Sequence, residues 1–335
     1  MRILFSSNKN PGFITITEYI EKALKKICET TFFENRAFII PGRIRKAVRF
    51  LDRADLKRIN GNLVSAVKRY KPDIFLEVGG HRIFADTVVE IKKQGIKTAL
   101  WTVDPPRDFE PIIKVAPYYD FVFNGGSEAG NLLRPYNIKN IHFLPFACDP
   151  DFHKPVDVST KEKEYYGNDI VFVGSFYENR MRILGQVSDF DIGIWGPGWE
   201  KIPRTALIKK CIRHTGGVEP EEWKKIYSSC KIAIAIHYQD GRIPCYQASP
   251  RVYEALACGC FLLSDNQKDV GMLFNKGEHL DIFRDGRELR AKIDYYLKHP
   301  EMRKGIAHRG YREVIERHSY NHRINEMLNI IRKDL

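Results

Sequence analysis

Short apolar runs recur along this chain with amphipathic, helix-like stretches between most of them. They read RILFSS, RAFII, DIFLEVG, KTALWTV, DFVFN and IHFLPF, and then, beyond residue 168, DIVFVGS, FDIGIWG, KIAIAIH, CFLLSD and HLDIF. Continuous Val, Ile and Leu without polar alternation suits strands covered on both faces, and parallel neighbours need a crossover segment between them. The rhythm therefore predicts the α/β class, with two doubly wound, Rossmann-like parallel sheets. Such sheets bind ligands outside the carboxyl ends of their strands, so two in tandem predict a central cleft.

The polar, proline-containing stretch DPDFHKPVDVSTKEKEYYGND, Asp149 to Asp169, reads as the linker between them. A chain of 335 residues has length for two domains. The expected division is 1–150, 151–315 and a C-terminal helix over 316–335 that packs back toward the first domain. The chain reads as helical from Asp285 onward. No apolar run approaches the roughly 20 residues needed to cross a bilayer. The opening MRILFSSNKN is read as a first strand rather than a signal peptide. Seven cysteines without paired spacing favour a reduced, cytoplasmic protein with no metal site. Cys258 and Cys260, on either side of Gly259, read as small core residues.

SPRVYEALACGCFLLSD, Ser249 to Asp265, is the most informative stretch. Ser249 suits an N-cap, Pro250 the first helical position and Gly259 the left-handed stop, which predicts a helix over Pro250 to Cys258 followed by a buried strand. The N-terminus of that helix would offer unpaired N–H groups and a positive dipole end to an anion beyond the sheet edge. Glu254, one turn inside, is then placed to accept hydrogen bonds from sugar hydroxyls. Glycines recur where strands should end, at Gly174, Gly196, Gly198, Gly216, Gly217 and Gly259, and allow backbone to approach a ligand closely. Arg180, Arg182 and Arg251 add planar donors suited to phosphate oxygens.

The segments DIVFVGSFYENR, IGIWGPGW, IYSSCKIAIAIH, SPRVYEALACGCFLLSD and ELRAKIDYYLKHP resemble the CgeB-like, spore-maturation type of GT-B glycosyltransferase, a group related to retaining nucleotide-sugar transferases. KPDIFLEVGG, GIKTALWTVDPP and YDFVFNGG extend the resemblance into the first half. It implies a GT-B fold and transfer of a sugar from a nucleoside-diphosphate sugar, with retention, no cofactor and no metal. The donor would lie on the second domain and the acceptor on the first. By this resemblance Glu254 meets the ribose hydroxyls, Ser249 and Arg251 the diphosphate, Gly217 and Val218 the base, and Gly174, Ser175 and Arg180 the loop facing the phosphates. One position departs from the pattern: the second glutamate that many retaining relatives carry eight residues before the ribose-binding one is Tyr246 here. The alternative reading is a non-catalytic GT-B-like protein that binds a nucleotide or a glycan.

On the acceptor side the candidates are Asn10 and Gly12 after the first strand, His81 in VGGHR as a catalytic residue, and Asp104 in WTVDPP. The net charge of +12 is concentrated between Arg43 and Lys71, where ten Lys and Arg face Asp52 and Asp55. Ile44, Val48 and Leu51 follow helical spacing among them, the pattern of a helix that lies on an anionic surface. Arg45, Lys46 and Arg49 are thus expected to meet an anionic or membrane-linked acceptor, such as a phosphate-bearing glycan or lipid carrier at the inner face of the membrane. Nucleic acid is set aside, because the basic segment carries no recognised binding motif.

Overall fold

The computed structural model describes residues 1–10, 14–138, 140–203, 205–239 and 241–333. The chain forms two compact units, Met1–Pro145 with Tyr320–Leu335, and Phe146–Ser319.

The first unit is built on six parallel strands: β1 (Arg2–Ser7), β2 (Glu29–Glu34), β3 (Ile74–Val78), β4 (Lys97–Thr102), β5 (Phe121–Asn124) and β6 (Ile141–Phe143). Their order is β2-β1-β3-β4-β5-β6. Winding therefore reverses between β1 and β3, whose register pairs Ile3 with Ile74 and Ser6 with Glu77. Leu4, Phe75, Leu100 and Val122 from the strands pack with Leu63, Val67, Val88 and Ile91 from the helices to make the core on one face. The helix Tyr320–Arg332 packs in this unit, where Tyr320 stacks on Tyr19 and Arg323 donates to the Pro145 carbonyl at 3.1 Å.

The second unit carries β7 (Ile170–Val173), β8 (Ile192–Trp195), β9 (Ile212–His214), β10 (Ile232–Ala235), β11 (Leu262–Asp265) and β12 (Asp281–Phe283). These are again all parallel, in the order β12-β11-β10-β7-β8-β9. Here the switch point falls between β7 and β10, with Ile170, Phe172, Ile232, Ile234 and Leu263 in the core around it. The stretch read as a linker holds a helix, Thr160–Tyr166, because Ser159 and Glu162 form a reciprocal capping box.

Two local readings differ from the structure. RAFII is not a strand: the Asp55 carboxylate accepts from the Ile39 and Ile40 amides, and Arg58 donates to the Ala37 carbonyl, so side chains occupy the backbone groups a ladder would use. The strand lies earlier, in ETTFFE, whose alternation fits its position at the sheet edge. The basic segment is two helices, Gly42–Ala47 and Arg49–Tyr70, broken at Val48, whose ψ of 94° is extended. The expected continuous stripe Ile44, Val48, Leu51 does not form.

Candidate functional site

At the switch point of the second unit, β7 runs into Gly174 and Ser175, and β10 into Ile236 and His237. Buried Arg180, on the helix Glu178–Gly185, ties these two strand ends together. Its Nε donates to the Ile236 carbonyl at 2.9 Å and its Nη1 to the Ser175 carbonyl at 2.7 Å. The neighbouring Asn179 donates to the His237 carbonyl at 2.8 Å. Arg180 thus braces the crevice floor through its backbone, and its ring neighbour Tyr177 lies 4.6 Å beneath the guanidinium.

The helix Pro250–Ala257 starts beside this floor. Ser249 is its N-cap residue, yet the hydroxyl makes no cap bond and is buried without a partner. The amide is held instead, donating to His237 Nε2 at 3.0 Å. His237 Nδ1 stands 2.5 Å from Asp265 Oδ1, and its backbone N–H donates to Oδ2 at 2.9 Å. Because Nε2 must accept, the His237 proton sits on Nδ1 and faces Asp265. A chain from the end of β11 through His237 therefore fixes where the helix begins.

Arg251, the second residue of that helix, donates from Nε to the Val173 carbonyl, while Nη1 is buried and unpartnered. A Cβ on Gly174 would lie 2.4 Å from Arg251 Nη2, so glycine is required for the guanidinium to reach the end of β7. Gly196, at φ +138°, is required likewise: its Cβ would meet the Gly174 carbonyl oxygen at 2.4 Å. Burial, with the neighbouring Arg251 charge, pushes Arg180 down to about 9. Neither arginine has a carboxylate within ion-pair distance among the described residues, so positive charge gathers at a helix N-terminus with donors left over. That is the composition of an anion site.

Glu254 follows one turn later, partly exposed and with no hydrogen bond to its carboxylate among the described residues. Burial raises its carboxyl to about 7, against the pull of Arg251. Gly217 and Val218 lie beyond β9, on the far edge of the sheet, where His214 Nε2 stands 3.2 Å from the Gly217 carbonyl. The ends of β7, β8 and β9 are laced by Gly174 N–H to Trp195 O at 2.7 Å and Gly196 N–H to His214 O at 3.1 Å. Among the described residues, no bond brings Gly217 or Val218 to the helix start. Tyr246 lines a pocket of about 430 Å³ with Arg242, Gln267 and Lys268, and the Lys268 ammonium lies 4.5 Å from its ring.

In the first unit, His81 and Asp104, read separately in the sequence, form one pair with Nε2 2.6 Å from Oδ2. This hydrogen bond raises the His81 pKa above the ordinary imidazole value. Gly79 and Gly80, both at positive φ, make the turn that carries His81 off β3. Asn10 lies in the loop after β1, and Gly12 lies outside the described residues. Arg45 is occupied: it bonds Asp52 Oδ1 at 2.6 Å and the Ile40 carbonyl at 3.0 Å, over the Phe38 ring. Lys46 and Arg49 are exposed and make no such bond among the described residues.

His237 and Asp265 are the site residues sequence reasoning missed. The available signal was a strand, IAIAI, that runs directly into a histidine. Two Asp-x-Asp triplets, Asp149 with Asp151 and Asp189 with Asp191, are also present. Asp189 binds Arg290 at 2.6 Å, Asp191 accepts from Asn168 and the Asp169 amide, and Asp149 accepts from the Asp151 amide.

Residues 179–329 match the family described as Glycosyl transferase-like. The chain is similar to the spore protein CgeB of Bacillus subtilis (strain 168), at 22% identity over 261 residues covering 74% of this chain and 80% of that protein. Among solved structures, a sucrose-phosphate synthase from Thermosynechococcus elongatus aligns at a TM-score of 0.70 and 11% identity, covering 99% of this chain and 98% of that one. HepE of Anabaena, solved in complex with UDP-glucose, aligns at a TM-score of 0.67 and 11% identity, covering 98% and 99%. Two parallel doubly wound sheets, aligned end to end with these structures, give the chain the GT-B fold, and its second half carries a glycosyl transferase-like segment in a CgeB-like sequence.

Proposed function

We propose that the protein is a glycosyltransferase that moves a sugar from a nucleoside-diphosphate sugar, with the donor at the β7/β10 switch point of the second unit. The observation that carries this is the start of the Pro250–Ala257 helix, where Arg251 and the Ser249 hydroxyl hold unpartnered polar atoms beside Gly174. These groups suit a diphosphate, and Glu254, with a free carboxylate one turn on, suits the ribose hydroxyls. HepE, whose structure holds UDP-glucose, lends the donor class support. As the glycosidic bond to the diphosphate breaks, charge grows on the leaving oxygen. Arg251, the Ser249 hydroxyl and the helix dipole then stabilise it without a metal. Gly217 and Val218 serve the base in this reading.

Transfer proceeds with retention, and His81, oriented by Asp104, contacts the reacting sugar or the acceptor hydroxyl. The acceptor is anionic or membrane-linked and meets the basic segment on the cytoplasmic face. Incubation with a panel of nucleoside-diphosphate sugars, read as release of the nucleoside diphosphate, tests the activity. Release that is lost in Arg251→Ala supports transfer or hydrolysis. Tight binding with no release in any mixture favours the non-catalytic reading that Tyr246 motivates.

A further inference from the structure

The first unit has its own switch point, between β1 and β3, and the side chains gathered there differ in kind from those of the second. Arg82, just after the Gly79–Gly80 turn, donates from Nη1 to Asn8 Oδ1 at 2.9 Å and to Asn35 Oδ1 at 3.3 Å. Asn35 is buried and anchored in turn, through its N–H to the Ser7 carbonyl at 2.9 Å and its amide to Ser6 Oγ at 3.4 Å. Buried Asn60 grips the Arg82 carbonyl at 2.9 Å and the Phe84 amide at 2.8 Å, which fixes the backbone carrying the guanidinium. All three anchors are neutral amides.

Two carboxylates, Glu34 and Glu77, lie within the field of Arg82, and neither forms an ion pair with it among the described residues. Glu34 accepts from the Lys9 amide at 3.0 Å and the Arg36 amide at 2.9 Å, while Glu77 takes the Tyr119 hydroxyl. Arg82 therefore makes no ion pair among the described residues, and Arg36, exposed and unpaired, adds a second positive charge within its field. Burial, and then Arg36, lower the Arg82 pKa against the opposing pull of Glu77 and Glu34. A guanidinium held by neutral groups keeps its outward donors for a ligand, and oxyanions match its fork. Ligands of open α/β sheets sit at such a crevice.

We propose that the β1/β3 crevice is an oxyanion-binding site, in which Arg82, oriented by Asn8, Asn35 and Asn60 and assisted by Arg36, takes the phosphate or carboxylate group of a small molecule. This goes beyond the donor reading and does not depend on it. If the first unit serves the acceptor, the oxyanion belongs to the acceptor.

Isothermal titration of the full chain with glycerol 3-phosphate and with glucuronate, against neutral glycerol and glucose, tests the assignment and separates phosphate from carboxylate. At least one acidic probe should bind, with its neutral counterpart at least about tenfold weaker. Arg82→Gln should weaken the acidic probe by about tenfold or more, and Arg36→Gln by a smaller factor. Arg82→Lys, which keeps the charge, should retain part of the affinity. Arg251→Ala should leave it unchanged. The assignment falls if neither acidic probe binds, if neutral and acidic probes bind alike, or if a folded R82Q keeps full affinity. Loss in R251A with none in R82Q or R36Q overturns it too, because the anion then sits at the donor site. Should R82Q fail to fold, the R36Q result decides, since the Arg36 side chain makes no bond among the described residues. Nucleoside-diphosphate affinity measured on the same variants reports on the donor reading separately.

Discussion

Glu254, proposed above to meet the ribose hydroxyls, works against the fold that carries it. Its carboxyl pKa is raised to about 7 in the folded chain, so folded protein holds the proton more tightly than unfolded protein does. The sign follows: the contribution is favourable below the unfolded value and is lost as pH rises through about 7, where a charge must sit in protein surroundings. The cost above that pH is on the order of 2–3 kcal/mol. Glu254→Gln should therefore raise the thermal midpoint of ligand-free protein at pH 8 and change it little at pH 4.5. The same variant should lose about tenfold or more in nucleotide affinity, from a charged hydrogen bond of roughly 1.5–3 kcal/mol. Unchanged affinity in E254Q would remove the ribose role. For His81, raised by Asp104, Asp104→Asn should lower the imidazole pKa in an NMR pH titration. An unshifted titration would mean that the pair does not set the protonation of His81.

At the scale of elements, the proposed donor site depends on where one helix starts. The Ser249 amide, His237 and Asp265 form a chain whose removal at His237 leaves an amide and a carboxylate to find new partners. His237→Ala should lower unfolding stability by about 1–3 kcal/mol in a urea titration and weaken diphosphate binding as well. A variant that is destabilised yet binds the diphosphate normally would show that the chain supports the fold alone. Much of this element was legible in advance: Pro250, Val252, Leu256 and Gly259 mark the helix and its stop, and Gly259 adopts φ +74°. The contacts at the helix start were not. Arg251 reaches Val173 across 78 residues and Arg180 reaches Ile236 across 56, separations at which local spacing carries no information. The split roles of the two arginines, Arg180 bracing backbone and Arg251 holding a free donor, emerge only from packing.

The whole molecule follows the βαβ rhythm of its sequence, because buried parallel strands are continuous apolar runs that announce themselves. The failures have physical causes. β2 sits at a sheet edge and alternates, β9 is three residues long, and RAFII is apolar but has its amides taken by Asp55. The basic segment behaves similarly. Ile39 and Phe50 are 71% and 77% exposed, and among the described residues the Lys46 and Arg49 side chains make no ion pair. Each such cation near an anionic bilayer contributes about 1 kcal/mol, screened by salt. The triple change Lys46→Gln, Arg49→Gln, Phe50→Ser should therefore reduce sedimentation with anionic liposomes at low salt and leave neutral liposomes unaffected. Arg45 is omitted because Asp52 already holds it. Binding that ignores lipid charge, or the triple change, would contradict a membrane-linked acceptor.

In the proposed reading the second unit grips a nucleoside diphosphate at the start of the Pro250–Ala257 helix. The most direct measurement is calorimetric titration of the wild type and Arg251→Ala with a panel of nucleoside diphosphates and the matching nucleosides. At least one diphosphate should bind the wild type well above its nucleoside, and R251A should weaken the diphosphate by about tenfold or more while hardly changing the nucleoside. Equal losses for both ligands, or no diphosphate bound by folded wild-type protein, would contradict it.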